Sequence, residues 1–417
     1  MVQSNADVWP LGKNAAMGAL AVAVLLGIFD FGDRMIISSV FPYLKDAYSL
    51  SDAQLGFLSG IVNFALAILV VPTAFFVDRW SRKKMIAIMM VFWAAGSGLS
   101  AFAGTFAALL CARFLIGFGE SAYTPATQSL LAASFPMRWR TTALGLQQYG
   151  TNVGCMLGLA IGAFIAAHWD WHDAIGIMCI PGLLVGLSAL ALRDFPNPPK
   201  SESGAGQSWA AVIRTLLGNR SLVCVHLAQS VMLCYGYTLS IWYLTYLNRV
   251  GGMDIAVAGS FGVLFLITSS TSILVSGPLN DWLRSRSRVL SIRVIAVLVA
   301  VGFAMNFVAL TCLEPASGLQ IFLMVAQNAC TAPLIGLGFA LNADLTVPAM
   351  RGTSTSLMLV MMNVIGTGCG PILLGLLSDE LGGLGNGLTV LSFCLVITSA
   401  LYFYLSFRYQ RDLPNAL

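Results

Sequence analysis

Apolar residues run along the chain in long stretches separated by short polar breaks. Predominantly apolar segments lie at about 15–41, 52–76, 85–104, 106–132, 141–167, 174–192, 221–247, 256–279, 289–310, 318–342, 353–377 and 387–407. At a rise of ~1.5 Å per residue, roughly 20 helical residues cross a hydrocarbon core of ~30 Å, so each segment is long enough to span a membrane. The runs are continuous and do not alternate with period two, which argues against membrane strands. The pattern predicts an all-α membrane protein with twelve transmembrane helices. The longest polar stretch, Arg193 to Arg220, holds Pro196, Pro198, Pro199 and a Ser-Glu-Ser-Gly-Ala-Gly-Gln tract. It divides six spans from six: residues 1–192 as an N-terminal bundle, 193–220 as a cytoplasmic linker, and 221–417 as a C-terminal bundle.

Composition sharpens this picture. Of 417 residues, 58% are hydrophobic and 10% charged, against roughly 25% charged in a soluble domain. That is too few charges to cover a water-facing surface. The 41 Gly suit closely packed membrane helices. Nine Cys are scattered singly with no C-x-x-C pair and read as small buried hydrophobes. A net charge of +4 points to no nucleic-acid partner. The first apolar run is longer than a signal-peptide core and lacks an A-x-A exit, so no cleavable signal is expected.

Basic residues set an expected orientation. With both termini inside, the 22 Lys and Arg fall on the cytoplasmic side except Lys45 and Arg249, in outside loops, and Arg34 and Arg113, within spans. The opposite topology places the excess on the wrong side. The location expected is a bacterial inner membrane, with N and C termini cytoplasmic.

The halves echo one another. Asp78-Arg79-Trp80-Ser81-Arg82-Lys83-Lys84 ends the second segment, and Gly277-Pro278-Leu279-Asn280-Asp281-Trp282, followed by Arg284, Arg286 and Arg288, ends the eighth. Arg140 precedes Asn152 by twelve residues, and Arg351 precedes Asn363 by the same spacing. Two related halves around a central cavity are what alternating access needs. Asp78 at a helix end can cap a facing terminus or pair with a nearby Arg, while Arg79, Arg82, Lys83 and Lys84 hold the loop at an anionic leaflet. Asp78, Arg79, Arg82, Arg140, Asp281 and Arg351 are therefore candidate gate residues.

These motifs resemble the major facilitator superfamily over nearly the whole chain. The family's loop signature, Gly-x-x-x-Asp-Arg-x-Gly-Arg-(Arg/Lys), appears as Ala74-x-x-x-Asp78-Arg79-Trp80-Ser81-Arg82-Lys83, with small residues replacing both glycines. Ser81 resembles the spinster-like branch of lipid and organic-anion carriers. So do Asp33-Arg34, Arg113-x-x-x-Gly117-x-Gly119-Glu120 followed by Pro125, and Asn363-x-x-Gly366-x-Gly368-x-Gly370-Pro371 with Ser378-Asp379. The organic anion-cation symporters share much of the first- and fourth-helix pattern. The resemblance implies two pseudo-symmetric six-helix bundles and secondary transport.

Charges inside a membrane are expensive and mark sites or partners. The set is Asp30, Asp33, Arg34, Arg113 and Glu120, all in the N-terminal half. Arg34 and Arg113 lie about 7 or 8 residues from the outer ends of their helices, some 10–12 Å deep, and can converge on one anion. Asp30 and Arg34 share a face, while Asp33 points about 100° away. Arg113, Gly117 and Glu120 share a face, with Glu120 about two turns deeper and the glycine expected to leave space between the charges. Arg113 either pairs structurally with Asp33 or Asp30, or meets an anionic group of the solute. Glu120 has no basic residue within four positions on its own helix, so burial disfavours its charge, as a proton carrier requires. Glu120, Asp33 and Asp30 are the proton-coupling candidates.

Tyr149, Asn152, Tyr235, Gln327, Asn328 and Asn363 join Arg34 and Arg113 as candidate solute contacts, though each polar residue is nearly as suited to interhelical bonding. Tyr243 and Tyr246 fit a solute site or an interfacial anchor. His168 and His172 flank a loop beside Asp170 and Asp173, and nothing in their spacing forces a metal geometry. An ATP-driven pump needs a Gly-x-x-x-x-Gly-Lys-(Ser/Thr) loop, and a membrane enzyme needs a nucleophile with its base or a metal cluster; the sequence has neither. No cofactor or metal is implied. The expectation is a monomeric secondary carrier of a small organic anion, coupled to protons, or of an anionic amphiphile such as a lysophospholipid or sphingoid phosphate, working among membrane lipids.

Overall fold

The computed structural model describes residues 9–10, 12–77, 81–193, 209–347 and 350–413. Among these, twelve helices are long and apolar enough to cross a membrane: Lys13–Ser39, Asp52–Leu69, Arg82–Ala101, Phe106–Ser134, Arg138–His168, Trp171–Ala191, Arg220–Arg249, Ile255–Arg286, Arg288–Thr311, Gly318–Asp344, Arg351–Glu380 and Leu384–Arg408, the first to twelfth spans. No strand occurs among the described residues. The helices outrun the apolar segments at several ends. The eighth continues through Arg284 to Arg286, because a helix persists past the hydrocarbon layer where its apolar pattern stops.

Polar junction residues start these helices. Ser81, Thr105, Asn219, Ser287 and Ser317 each accept the backbone N–H three residues on, satisfying one donor that a helix start leaves unpaired. Ser81, where the loop signature has glycine, is thus a cap for the third span. Between the fifth and sixth spans, Asp170 accepts from the His172 backbone N–H and ring Nδ1. Those bonds, the backbone one foremost, hold its carboxyl below the usual carboxylate range. The stretch expected to be a polar linker contains an α-helix, Trp209–Gly218. Its apolar residues recur at 209, 212, 213, 216 and 217, a helical stripe too short to register as a span.

Packing divides the chain into two compact units: residues 1–50, 61–199 and 255–263, and residues 51–60, 200–254 and 264–417. Relative to a division at the linker, two helix starts change sides, since the end of a long helix packs where it arrives.

In the first unit, Gly150, Gly154, Gly158 and Gly162 recur every fourth residue along the fifth span and meet the first span. A Cβ on Gly158 would stand 2.1 Å from the Gly32 carbonyl oxygen, and one on Gly154 2.4 Å from that of Ile28. Gly119 meets the third span in the same way, 2.6 Å from the Met89 carbonyl. Gly117 does not leave space between Arg113 and Glu120: its missing Cβ admits Ala65 and Val62 of the second span, each 2.6 Å away.

In the second unit, Tyr235, Trp242, Tyr243 and Tyr246 are all buried in protein. Tyr246 and Tyr243 are therefore not lipid-interface anchors; the Tyr246 hydroxyl accepts from Gln320 Nε2 at 2.6 Å. The eleventh span widens into a π-helical turn over Met362–Gly368, just ahead of Pro371, whose missing N–H disturbs the regular ladder there.

Candidate solute and proton site

The five membrane-embedded charges lie in the first unit and are buried. They sort into two groups because Asp33 and Arg34, adjacent in sequence, point about 100° apart on the first span. Asp33 turns toward the third and fourth spans. Its Oδ2 accepts from Arg113 Nη1 at 2.8 Å and its Oδ1 from Ser97 Oγ at 2.8 Å. Arg34 turns toward the second and fourth spans. Its Nη1 donates to Asn63 Oδ1 at 3.0 Å, its Nη2 pairs with Glu120 Oε2, and its Nε lies 3.7 Å from Asp30 Oδ1. The Tyr123 hydroxyl donates to Asp30 Oδ2.

Glu120 therefore has charged neighbours, contrary to the view from its own helix. The first span packs against the fourth and supplies Arg34 and Asp30, which no local spacing reveals. Pairing is what makes the burial tolerable, since an isolated charge in a low-dielectric interior is heavily penalised. Arg34 is 9% exposed and Arg113 1%, so Arg34 is the less enclosed guanidinium. Arg113 Nε and Nη2 are buried without a hydrogen-bond partner, leaving donors that an anionic oxygen would satisfy.

The neutral candidates are dispersed. Tyr149 is 55% exposed and Asn152 half-buried, both on the fifth span. In the second unit the Tyr235 hydroxyl is buried without a partner. Gln327 Nε2 donates to Asn328 Oδ1 at 3.2 Å, and Asn328 Nδ2 to the Phe265 carbonyl at 3.4 Å, which ties the tenth span to the eighth. Asn363 sits half-buried in the π-helical turn.

Among the gate candidates, Asp78 and Arg79 lie outside the described residues. Arg82 is buried with Nε and Nη1 unpartnered, and Asp281 is exposed. Arg140 and Arg351 repeat one device in the two units. Arg140 Nε donates to the Phe135 carbonyl at 3.1 Å, and Arg351 Nε to the Ala343 carbonyl at 3.1 Å. Each stands in the first turn of its helix and holds a carbonyl at the end of the preceding span, where helices leave acceptors unpaired.

Several contacts were not visible in sequence. Ser97 and Tyr123 are ordinary residues of apolar helices until packing brings them to Asp33 and Asp30. In the second unit, Asp52 accepts from Arg249 Nη1 at 2.7 Å and Ser378 Oγ at 2.6 Å, while the Asp52 and Ala53 backbone N–H groups donate to Asp379 at 3.0 and 2.9 Å. Asp52 reads locally as a first-turn acid and nothing more.

The twelve helices that could cross a membrane among the described residues, with charges buried between them in ion pairs, are those of a multi-pass membrane protein. The chain belongs to the Major Facilitator Superfamily, whose sequence profile matches residues 23–313. It is similar to Protein spinster homolog 1 of Xenopus laevis, 25% identical over 389 residues that cover 85% of this chain and 72% of that protein. A sphingosine-1-phosphate transporter of Xenopus tropicalis is 22% identical over 390 residues, 89% of this chain and 75% of that one. A probable galactarate/D-glucarate transporter of Bacillus subtilis is 23% identical over 420 residues, covering 93% and 91%. In fold, the chain is similar to the crystal structure of a bacterial homologue of the human lysosomal transporter spinster in an inward-facing, unoccupied conformation. The TM-score is 0.87 at 21% identity, over 97% of this chain and all of that one.

Proposed function

We propose that this protein is a proton-coupled secondary transporter that carries an anionic organic solute across a bacterial inner membrane by alternating access. The observation that supports it is Arg34, a nearly buried guanidinium bonded to Asn63 and Glu120 and 3.7 Å from Asp30. An anionic group on a solute competes with those carboxyls for the same donors, and protonating a carboxyl lowers the competition. Proton and anion then bind together. Tyr235, Gln327, Asn328 and Asn363 are the proposed neutral contacts, and the Arg140 and Arg351 anchors are proposed to hold helix ends through the cycle.

A polar organic acid is the first reading of the solute, in line with the similarity to a probable galactarate/D-glucarate transporter. A phosphate-bearing amphiphile is the second, favoured by the similarity to a sphingosine-1-phosphate transporter. Both present oxyanions to a guanidinium. The deciding experiment is uptake into proteoliposomes of labelled glucarate and, in parallel, labelled sphingosine-1-phosphate, with and without an imposed pH gradient. Accumulation of one of them only when the outside is acidic is the expected result. Equal uptake with no gradient removes the proton coupling, and preference for an uncharged analogue removes the anion reading.

A further inference from the structure

The charge count among the five embedded groups, Asp30, Asp33, Arg34, Arg113 and Glu120, leaves one proton to be placed. Asp33 and Arg113 form a neutral pair, with Ser97 on the second carboxylate oxygen. What remains is a single guanidinium, Arg34, between two carboxyl groups, Glu120 and Asp30. Among the described residues, the groups at this triad include Tyr123 on the fourth span, Asn63 on the second and the Cys155 thiol on the fifth. None of them brings a second positive charge. With both carboxyls ionised the triad carries one net negative charge where Asp30 and Glu120 are each 1% exposed, and an uncompensated charge so placed is heavily disfavoured.

The place for the proton is visible. Asp30 and Glu120 stand on one guanidinium, Asp30 Oδ1 3.7 Å from Arg34 Nε and Glu120 Oε2 against Arg34 Nη2, and a single guanidinium balances only one ionised carboxylate. Each presents one buried oxygen without a hydrogen-bond partner, Asp30 Oδ1 and Glu120 Oε1, while the other oxygen of each is engaged by Tyr123 or Arg34. We propose that Asp30 and Glu120 form a carboxyl dyad that holds one proton between them, so that the titrating unit is the pair and not Glu120 alone. For its transport consequence this rests on the proposed proton coupling. Loss of the shared proton gives Arg34 two full carboxylates to neutralise and withdraws it from a solute anion, and rebinding the proton releases it. Two carboxyls that share one guanidinium act as a coupled pair.

The test is infrared spectroscopy of the purified protein in lipid nanodiscs, following the carbonyl stretch of protonated carboxyl groups through a pH titration in H2O and D2O. Wild type is expected to show one protonated carboxyl at neutral pH that shifts in D2O. The near-isosteric variants Asp30→Asn and Glu120→Gln are each expected to lose it, because either leaves Arg34 a single carboxylate to neutralise. Persistence of the signal in Asp30→Asn assigns the proton to Glu120 alone and overturns the dyad, as does its absence from wild type. Should either variant fail to fold, Tyr123→Phe keeps both carboxyls and removes only the donor to Asp30. Its titration midpoint is expected to move, and an unchanged midpoint counts against a proton shared with Asp30. A dyad seen in the spectrum without gradient-driven uptake in liposomes refutes the coupling and leaves the dyad standing.

Discussion

Arg113 gives one hydrogen bond to Asp33 and keeps two donor nitrogens unpartnered, so its removal is expected to act twice. Arg113→Ala leaves the Asp33 charge buried and unpaired, a loss of about 3–5 kcal/mol, and it abolishes saturable binding of an anionic solute. Adding Asp33→Asn to the same protein is expected to restore most of the thermal stability in detergent without restoring binding. A single variant that melts with wild type refutes the stability claim, and a double variant that binds normally returns Arg113 to a structural role. At this scale the five charges were legible in the sequence, because burial in an apolar run makes a charge conspicuous. Ser97 and Tyr123 were not. Each is a common helix residue whose role comes only from what stands opposite.

Along the helices, small residues and caps govern close approach. Gly158→Ala places a Cβ 2.1 Å from the Gly32 carbonyl oxygen, and backbone cannot yield as a flexible side chain does. A loss of about 1–3 kcal/mol is expected. Gly145→Ala on the same helix meets nothing within 4 Å and is expected to be neutral or to gain up to about 1 kcal/mol from helix propensity. Thermal unfolding of the two variants side by side in detergent checks this, and equal melting shifts would refute it. Asp379→Ala removes the acceptor for two backbone N–H groups at the start of the second span. Faster hydrogen exchange at Asp52 and Ala53 is expected, with a cost of about 1 kcal/mol; unchanged exchange sinks the assignment. The number of helices followed from apolar runs. Their ends did not, because capping and the polar final turns of the eighth span carry no apolar signal. The helix Trp209–Gly218 went unread for a related reason: its apolar stripe is short and sits within a polar stretch.

For the whole molecule, the basic residues propose an orientation that labelling checks. In a variant with the nine native cysteines replaced, a cysteine at Lys45 is expected to react with a membrane-impermeant maleimide on intact cells. A cysteine at Arg286 is expected to react only after lysis. The reverse pattern inverts the topology. Membership of the superfamily, the twelve spans and the charged cluster's residues were all determined by sequence, since each depends on local composition: a run long enough to cross lipid, a motif at fixed spacing, a charge where lipid would penalise it. Tertiary structure alone decided the pairings. That Arg34 stands between Asp30 and Glu120, that Asp33 closes on Arg113 and Ser97, and that Asp52 meets Arg249 across 197 residues of chain depends on which helix faces meet. Rotating a helix in a bundle changes its partners without changing its own apolar pattern, and so no reading of one helix at a time contains them.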